Sequence, residues 1–519
     1  MKKLGLVFGL IFLFFPCLSF ASVSGEINSS STYYNVGGKT ENSFYEPESL
    51  EYLWEMFFNL EEEIFGNWRL RSSLNLRATD DRLVDPQDFS MERFFVEFSN
   101  RGSSFTLGDF AVNFSSFTVN NSLKGLKTSF DFGENLKFTA VAGANFYLWE
   151  DLCEERTDDT QLRQYIGGLR LEQTLGSIGN LGLNFGILDD DDSFVSSYSD
   201  PQRTTVVSLD TRLNLFRDLN IEAEFAISWY DKNTDSKDTP RKTDHGLRFL
   251  ADYRIGRFFF RGGFEREGSN FSSVGGFTTQ DFEEFFQEIE IDLFKDSRLR
   301  LTYRQNRDNL DKHKATTTRQ RSPGINLTFK PFRNTMMDLG CDLTRRDASD
   351  DSVEELYRRA FIRLNQAIGP ANLSLEYTNT RIDNNIDNTL ERLTDYVILA
   401  FDTSFSFKDV NFSPSLEYEI SHEEYRSISE SDLTQAIGLG LRLTFPKGWE
   451  VNSKVRLSSF DSYQADADQN NTRYEFNLLK RFGQHYEFSL NYQHSGYGYE
   501  TSEENYNETI VSVKLNLRF

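Results

Sequence analysis

Apolar and polar residues alternate one by one through most of this chain. Trp68, Leu70, Leu74 and Leu76 interleave with Arg69, Arg71, Ser73, Asn75 and Arg77. Ile221, Ala223, Phe225, Ile227 and Trp229 interleave with Glu222, Glu224 and Ser228, and Tyr486, Phe488, Leu490 and Tyr492 with Glu487, Ser489, Asn491 and Gln493. A period of two puts one set on each face of a β-strand. The spacing of three to four that a helix needs is missing. The pattern predicts an all-β protein whose strands have one apolar and one polar face.

The connections sort into two kinds. Short turn signals stand at Gly66-Asn67, Gly133-Glu134-Asn135, Lys295-Asp296-Ser297, Gly369-Pro370 and Gly483-Gln484. Longer polar stretches stand between them, near 80–86, 153–160, 189–201, 231–242, 306–316, 383–388 and 464–471. Alternation of short and long connections is the asymmetry of a membrane barrel. The prediction is a transmembrane antiparallel β-barrel of about 26 strands, with short periplasmic turns and longer extracellular loops. Two stretches, 22–35 and 103–110, read as weak strands. No room is left for a plug domain.

The chain ends Val511-Ser512-Val513-Lys514-Leu515-Asn516-Leu517-Arg518-Phe519. Val511, Val513, Leu515, Leu517 and Phe519 share one face. This ending resembles the C-terminal strand of bacterial outer-membrane β-barrels, in which an aromatic terminus is read by the barrel assembly machinery. The resemblance implies insertion in the cell outer membrane of a Gram-negative bacterium, among its lipid and lipopolysaccharide, with the terminus in the periplasm. It also implies that changing Phe519 impairs assembly. The other end agrees: Lys2 and Lys3, an apolar run over 4–15, and Ser19-Phe20-Ala21 read as a secretory signal peptide. The predicted organisation is a signal over 1–21 and one barrel over 22–519.

Composition narrows the classes further. Of 519 residues only 38% are hydrophobic, yet there are 49 Phe and 22 Tyr. The mean hydropathy of −0.52 suits a barrel, whose strands give half their residues to lipid. Beyond the N-terminal segment no run approaches the ~20 apolar residues of a spanning helix. The formal net charge of −24 argues against nucleic acid. Cys153 and Cys341 lie far apart and predict no disulfide. No CxxCH occurs, so no covalently attached haem and no other cofactor is expected.

Candidate chemistry is sparse. Arg298, Arg300 and Arg304 face Glu288, Glu290 and Asp292 across one hairpin, and Arg69, Arg71 and Arg77 lie near acidic neighbours. These are candidates for the lining of an aqueous lumen. They are either cross-strand pairs that stiffen the wall or charged stripes that select solutes. Asp189, Asp190, Asp191 and Asp192 are at best weak metal ligands. The five histidines are scattered, and no set of residues suggests an enzyme. Gly108-Asp109-Phe110 followed by Lys124-Gly125 is the most idiosyncratic stretch, and marks a bulge or a close backbone approach. It resembles a pattern of large outer-membrane barrels.

An empty lumen this wide would leak, and the candidate loops are too short to constrict it, so either it is collapsed or crowded by its long charged side chains or a partner fills it. The leading expectation is a porin-like passive channel for hydrophilic solutes. The alternative is a structural sheath, similar to the barrel of porin–cytochrome conduits, with a multihaem cytochrome as its lumenal partner.

Overall fold

The chain, in a computed structural model, is described over residues 22–519 except 65, 86, 147–148, 150–162, 192–199, 217, 237, 276–277, 465–466 and 501. The expected signal segment 1–21, Cys153 and Asp192 lie outside the described residues.

Strands run in chain order and pair with their sequence neighbours: β1 (Ser22–Gly38), β2 (Ser49–Ile64), β3 (Trp68–Thr79), β4 (Phe89–Ser99), β5 (Ser103–Asn113), β6 (Asn120–Phe132), β7 (Leu136–Asn145), β8 (Gln164–Thr174), β9 (Gly179–Asp190) and β10 (Arg203–Leu215). There follow β11 (Leu219–Asp231), β12 (Lys242–Ile255), β13 (Phe258–Glu267), β14 (Phe282–Phe294), β15 (Ser297–Arg307), β16 (Thr318–Phe329), β17 (Thr335–Ala348), β18 (Glu354–Ile368) and β19 (Ala371–Asn384). Arg392–Thr403 and Phe405–Phe407 both pair with Val410–Tyr425 on either side of Ser404, so they form one stave. The sheet is a closed barrel of 26 antiparallel strands.

Closure joins β1 to the last strand, Tyr506–Arg518, from Glu26 opposite Arg518 to Gly38 opposite Tyr506. Beyond that ladder the backbone N–H groups and carbonyls of Gly25 and Phe519 pair reciprocally, at 2.9 and 3.0 Å. The Phe519 ring lies over Gly25, whose missing side chain makes the room, with its centroid 6.1 Å from that of Phe58. The weak apolar content of β1 is thus supplemented by the terminal aromatic. Val511, Val513, Leu515 and Leu517 lie on the same face, opposite Tyr33, Ser31, Ser29 and Ile27.

The two faces of the sheet differ as the alternation requires. Leu169, Leu183, Phe185, Leu209, Phe225, Leu247, Phe249 and Ile325 stand exposed on the outside, a surface for which hydrocarbon, not water, is the matching solvent. Direct cross-strand partners share a face, so the inner set can be followed from strand to strand. The connections at one end are tight, such as 256–257, 295–296 and 369–370; at the other end they reach to 268–281 and 146–163.

Candidate functional site

Buried apolar residues cluster on the inside of the wall. They gather Phe110, Val112, Leu123, Phe114, Phe117 and Val119 from the β5–β6 hairpin, with Val141, Ile166, Leu188, Val206 and Ala226 from the wall and Phe271 and Val274 from the 268–281 connection. The upper part of the β5–β6 hairpin leaves the wall and folds into the lumen as a tongue.

The ladder records where it leaves. β4 and β5 pair only between Phe95–Gly108 and Ser99–Ser104. β6 and β7 part company above Lys124–Ala144. β5 and β6 stay paired to each other up to Asn113–Asn120. At the bend Gly108 has φ +109°, a backbone state that favours glycine, and a Cβ there would stand 2.1 Å from the Phe94 carbonyl.

Parting strands leave backbone groups without partners, which is costly away from water. Side chains fill in. The Asp109 carboxylate accepts the Phe94 N–H at 2.7 Å, and the Lys124 ammonium donates to the Glu92 carbonyl at 3.3 Å. Lys124 and Asp109 pair at 2.6 Å, Trp149 donates its indole N–H to Asp109 at 2.7 Å, and its ring meets Phe94 edge-on. The Gly108-Asp109 and Lys124-Gly125 pairs singled out in the sequence are therefore the root of the tongue.

The wall is shaped to receive the tip. The inner residues there are small: Gly168 lies opposite Gly186, Gly186 opposite Val206, and Ala226 opposite Gly246. A Cβ on Gly168 would come within 2.7 Å of Val119 and 2.8 Å of Phe114; one on Gly246 would come within 3.0 Å of Phe271 and 3.2 Å of Phe117. Polar groups fix the register. The nearly buried Glu224 carboxylate accepts the backbone N–H groups of Ser116 and Phe117 at 3.0 and 3.3 Å. Ser115 and Ser208 share a hydroxyl contact at 3.2 Å, and Arg248 donates to Ser116. Arg170 donates to the Phe114 carbonyl while paired with Asp210 at 2.7 Å. A polar recess of about 530 Å³ opens beside the tip, lined by Arg170, Asp210, Arg212, Glu222, Glu224 and Arg248 among others.

The second inward connection, 268–281, is braced from its neighbour. Burial pushes the Asp281 carboxyl up, but the Lys314 ammonium at 2.6 Å and the Leu310 N–H at 2.7 Å prevail and hold it below the usual carboxylate range.

The charged candidates lie on the inner face. Gly263 faces Phe286, which faces Arg304, and this places Arg298 and Arg300 inward as well. Arg298 meets Asp292 at 3.0 Å and Glu290 at 3.2 Å; Arg300 meets Glu290 at 2.9 Å and Glu288 at 3.2 Å. Arg304 reaches Glu284, at 3.7 Å, a partner the sequence reading did not name. Arg77 joins Glu55 at 2.8 Å and Glu92 at 2.5 Å, Arg69 joins Glu61 at 3.3 Å, and Arg71 joins Glu97 at 3.9 Å. The aspartates do not converge. Asp189 binds Arg203, Asp190 accepts from Gln164 and the Gln202 N–H, and Asp191 accepts from Tyr165. Among the described residues no three carboxylate, histidine or cysteine groups are arranged to hold a metal ion.

The expectation that no connection can narrow the lumen needs correction. Among the described residues two connections fold inward, 114–119 and 268–281, and neither is one of the candidate loops. Their signal is composition: Phe114, Phe117 and Val119, and Phe271 and Val274, are too apolar for a solvated loop.

No family model matches the chain, and no curated protein matches it. Solved structures similar to it include the outer membrane transporter YddB from Escherichia coli (10% identity, 96% of this chain and 81% of that one, TM-score 0.44). The outer membrane protein OprD from Pseudomonas aeruginosa is similar too (9%, 70% and 94%, 0.35), as is the ferric enterobactin receptor PfeA of the same organism (9%, 95% and 80%, 0.44).

Proposed function

We propose that the chain is an outer-membrane channel for the passive passage of hydrophilic solutes, with the β5–β6 tongue as its constriction. The observation that supports this most is the tongue itself, an apolar tip seated in a bed of glycines inside a barrel whose remaining inner face is charged. Barrels of 16 to 18 strands already hold an aqueous channel, so 26 strands leave water beside the tongue. In this reading the tight turns face the periplasm and the tongue enters from the outer side. The sheath alternative has less support, because the tongue occupies space that a lumenal protein needs.

Planar-bilayer recording of the purified chain tests the proposal. Discrete single-channel currents are expected, and they should grow when 114–119 is replaced by a two-residue turn. Silence from both proteins in a folded state, or a barrel that purifies only with a haem protein inside, contradicts it.

A further inference from the structure

One patch on the outside of the barrel is out of keeping with a chain of net charge −24. At the end where the longer connections lie, the outward faces of β15 to β19 carry Arg307, Arg319, Arg321, Arg345, Arg358 and Arg381. Three pairs of these stand directly opposite each other: Arg307 and Arg319, Arg321 and Arg345, Arg358 and Arg381. Like charges in such positions repel. Carboxylates on the same face relieve part of this. Arg307 binds Glu283 at 2.7 Å, Arg345 binds Glu354 at 3.2 Å, and Arg358 and Arg381 share Asp383. Arg319 and Arg321 form no ion pair among the described residues.

The position of the patch says what completes it. Arg321 shares its face with Ile325 and Arg358 with Ile362, both exposed apolar side chains, and Arg381 with the exposed ring of Tyr377. Each separation is four residues, about 13 Å along an untilted strand and less across the membrane when the strand tilts. That distance leads from the hydrocarbon edge into the headgroup layer. Arginine is the side chain best suited to phosphate there, because its planar fork donates two parallel hydrogen bonds.

We propose that this arginine face is a binding site for the phosphates of outer-leaflet lipid. It rests on the outer-membrane reading above, and Arg319 and Arg321 are its central donors. The experiment uses the full-length barrel purified in detergent, with bis-phosphorylated lipid A as probe and native mass spectrometry as readout. The variant is Arg319→Gln, Arg321→Gln, Arg345→Gln and Arg358→Gln together. A control, Arg298→Gln with Arg300→Gln, removes positive charge from the inner face. Heat-modifiable gel mobility verifies that each barrel is folded. The wild type and the control should retain lipid A, and the outer variant should retain at least about tenfold less, the cost of one good guanidinium–phosphate interaction. Lipid A stripped of its phosphates should be retained poorly by all three. Equal retention by the wild type and the outer variant overturns the proposal, and so does equal retention of the dephosphorylated lipid. Lipid retention needs no conductance, so failure of the channel reading is seen separately, as silence in bilayers.

Discussion

Two stretches of the same inner wall are built from opposite materials. Where the tongue tip rests on β8 to β12 the inner face presents Gly168, Gly186, Val206, Ala226 and Gly246, flanked by the charged Arg170, Asp210, Glu224 and Arg248. On β14 and β15 it presents Glu288, Glu290 and Asp292 against Arg298, Arg300 and Arg304. Backbone pairing is continuous through both, with one register shift, between Asp292 and Phe294, on the charged side. Side-chain volume makes the difference. Arginines and glutamates fill the space in front of their own strands and stay hydrated, so that wall can face water. A wall of glycine and alanine leaves a hollow, and an apolar hollow is stable only when something apolar packs into it. The tongue is that something, which explains why a hairpin gives up its ladder with β4 and β7 to occupy it.

Removing the tongue should therefore matter most. Replacing 114–119 by Asn-Gly, a turn suited to joining two antiparallel strands, takes away Phe114, Phe117 and Val119. Burial of side chains of that size contributes about 1.5–3 kcal/mol each. The expected result is a wider single-channel conductance together with a lower melting temperature. A variant that conducts like the wild type would mean the tongue does not limit flow.

Gly168→Leu attacks the hollow instead. Its side chain claims the space of Val119 and Phe114, and overpacking of this kind costs about 1–3 kcal/mol. The tongue should be displaced and become sensitive to added protease. In the tongue-deleted barrel the same substitution should be close to neutral, and the double-mutant cycle measures the coupling. Equal costs in the two backgrounds would break the comparison.

Much of this was legible in the sequence, and the reason is physical. Alternation is a property of each strand by itself, so the barrel, the inward arginines of β15 and the seam at Phe519 could all be read locally. The Asp109–Lys124 root could be noticed for its glycines but not interpreted, because its meaning depends on β4 and Trp149. The tongue was missed because Gly168, Gly186 and Gly246 lie far apart in the chain and become one surface only when β8 to β12 stand side by side. Phe114, Phe117 and Val119 give 113–119 a local sign of burial, but not the surface that receives them.

Smaller than either in its effect on conductance is Glu224→Gln. The amide keeps one acceptor but turns its NH2 group towards a backbone donor, leaving one N–H at the tongue tip without its partner. A buried unsatisfied group costs about 1–3 kcal/mol. The tongue should stay seated but less firmly, seen as noisier current at an unchanged mean conductance. A mean conductance equal to that of the tongue-deleted barrel would show that this single carboxylate, and not the apolar fit, holds the tip.

The smallest effect is expected on the charged wall. Arg300→Gln removes a guanidinium that is 48% exposed in its side chain. Glu290, which is itself buried, keeps Arg298 at 3.2 Å, while Glu288 loses its arginine but is a quarter exposed in its side chain and turns to water. Exposed ion pairs contribute about 0–1 kcal/mol, and the neighbouring arginine takes over part of that. The melting temperature should hardly move, while the reversal potential in a salt gradient should shift towards cation preference, because one positive charge is gone from the lumen. A loss of stability as large as that of Gly168→Leu would mean that the charged wall is as tightly packed as the glycine wall, and that the contrast between them is one of composition alone.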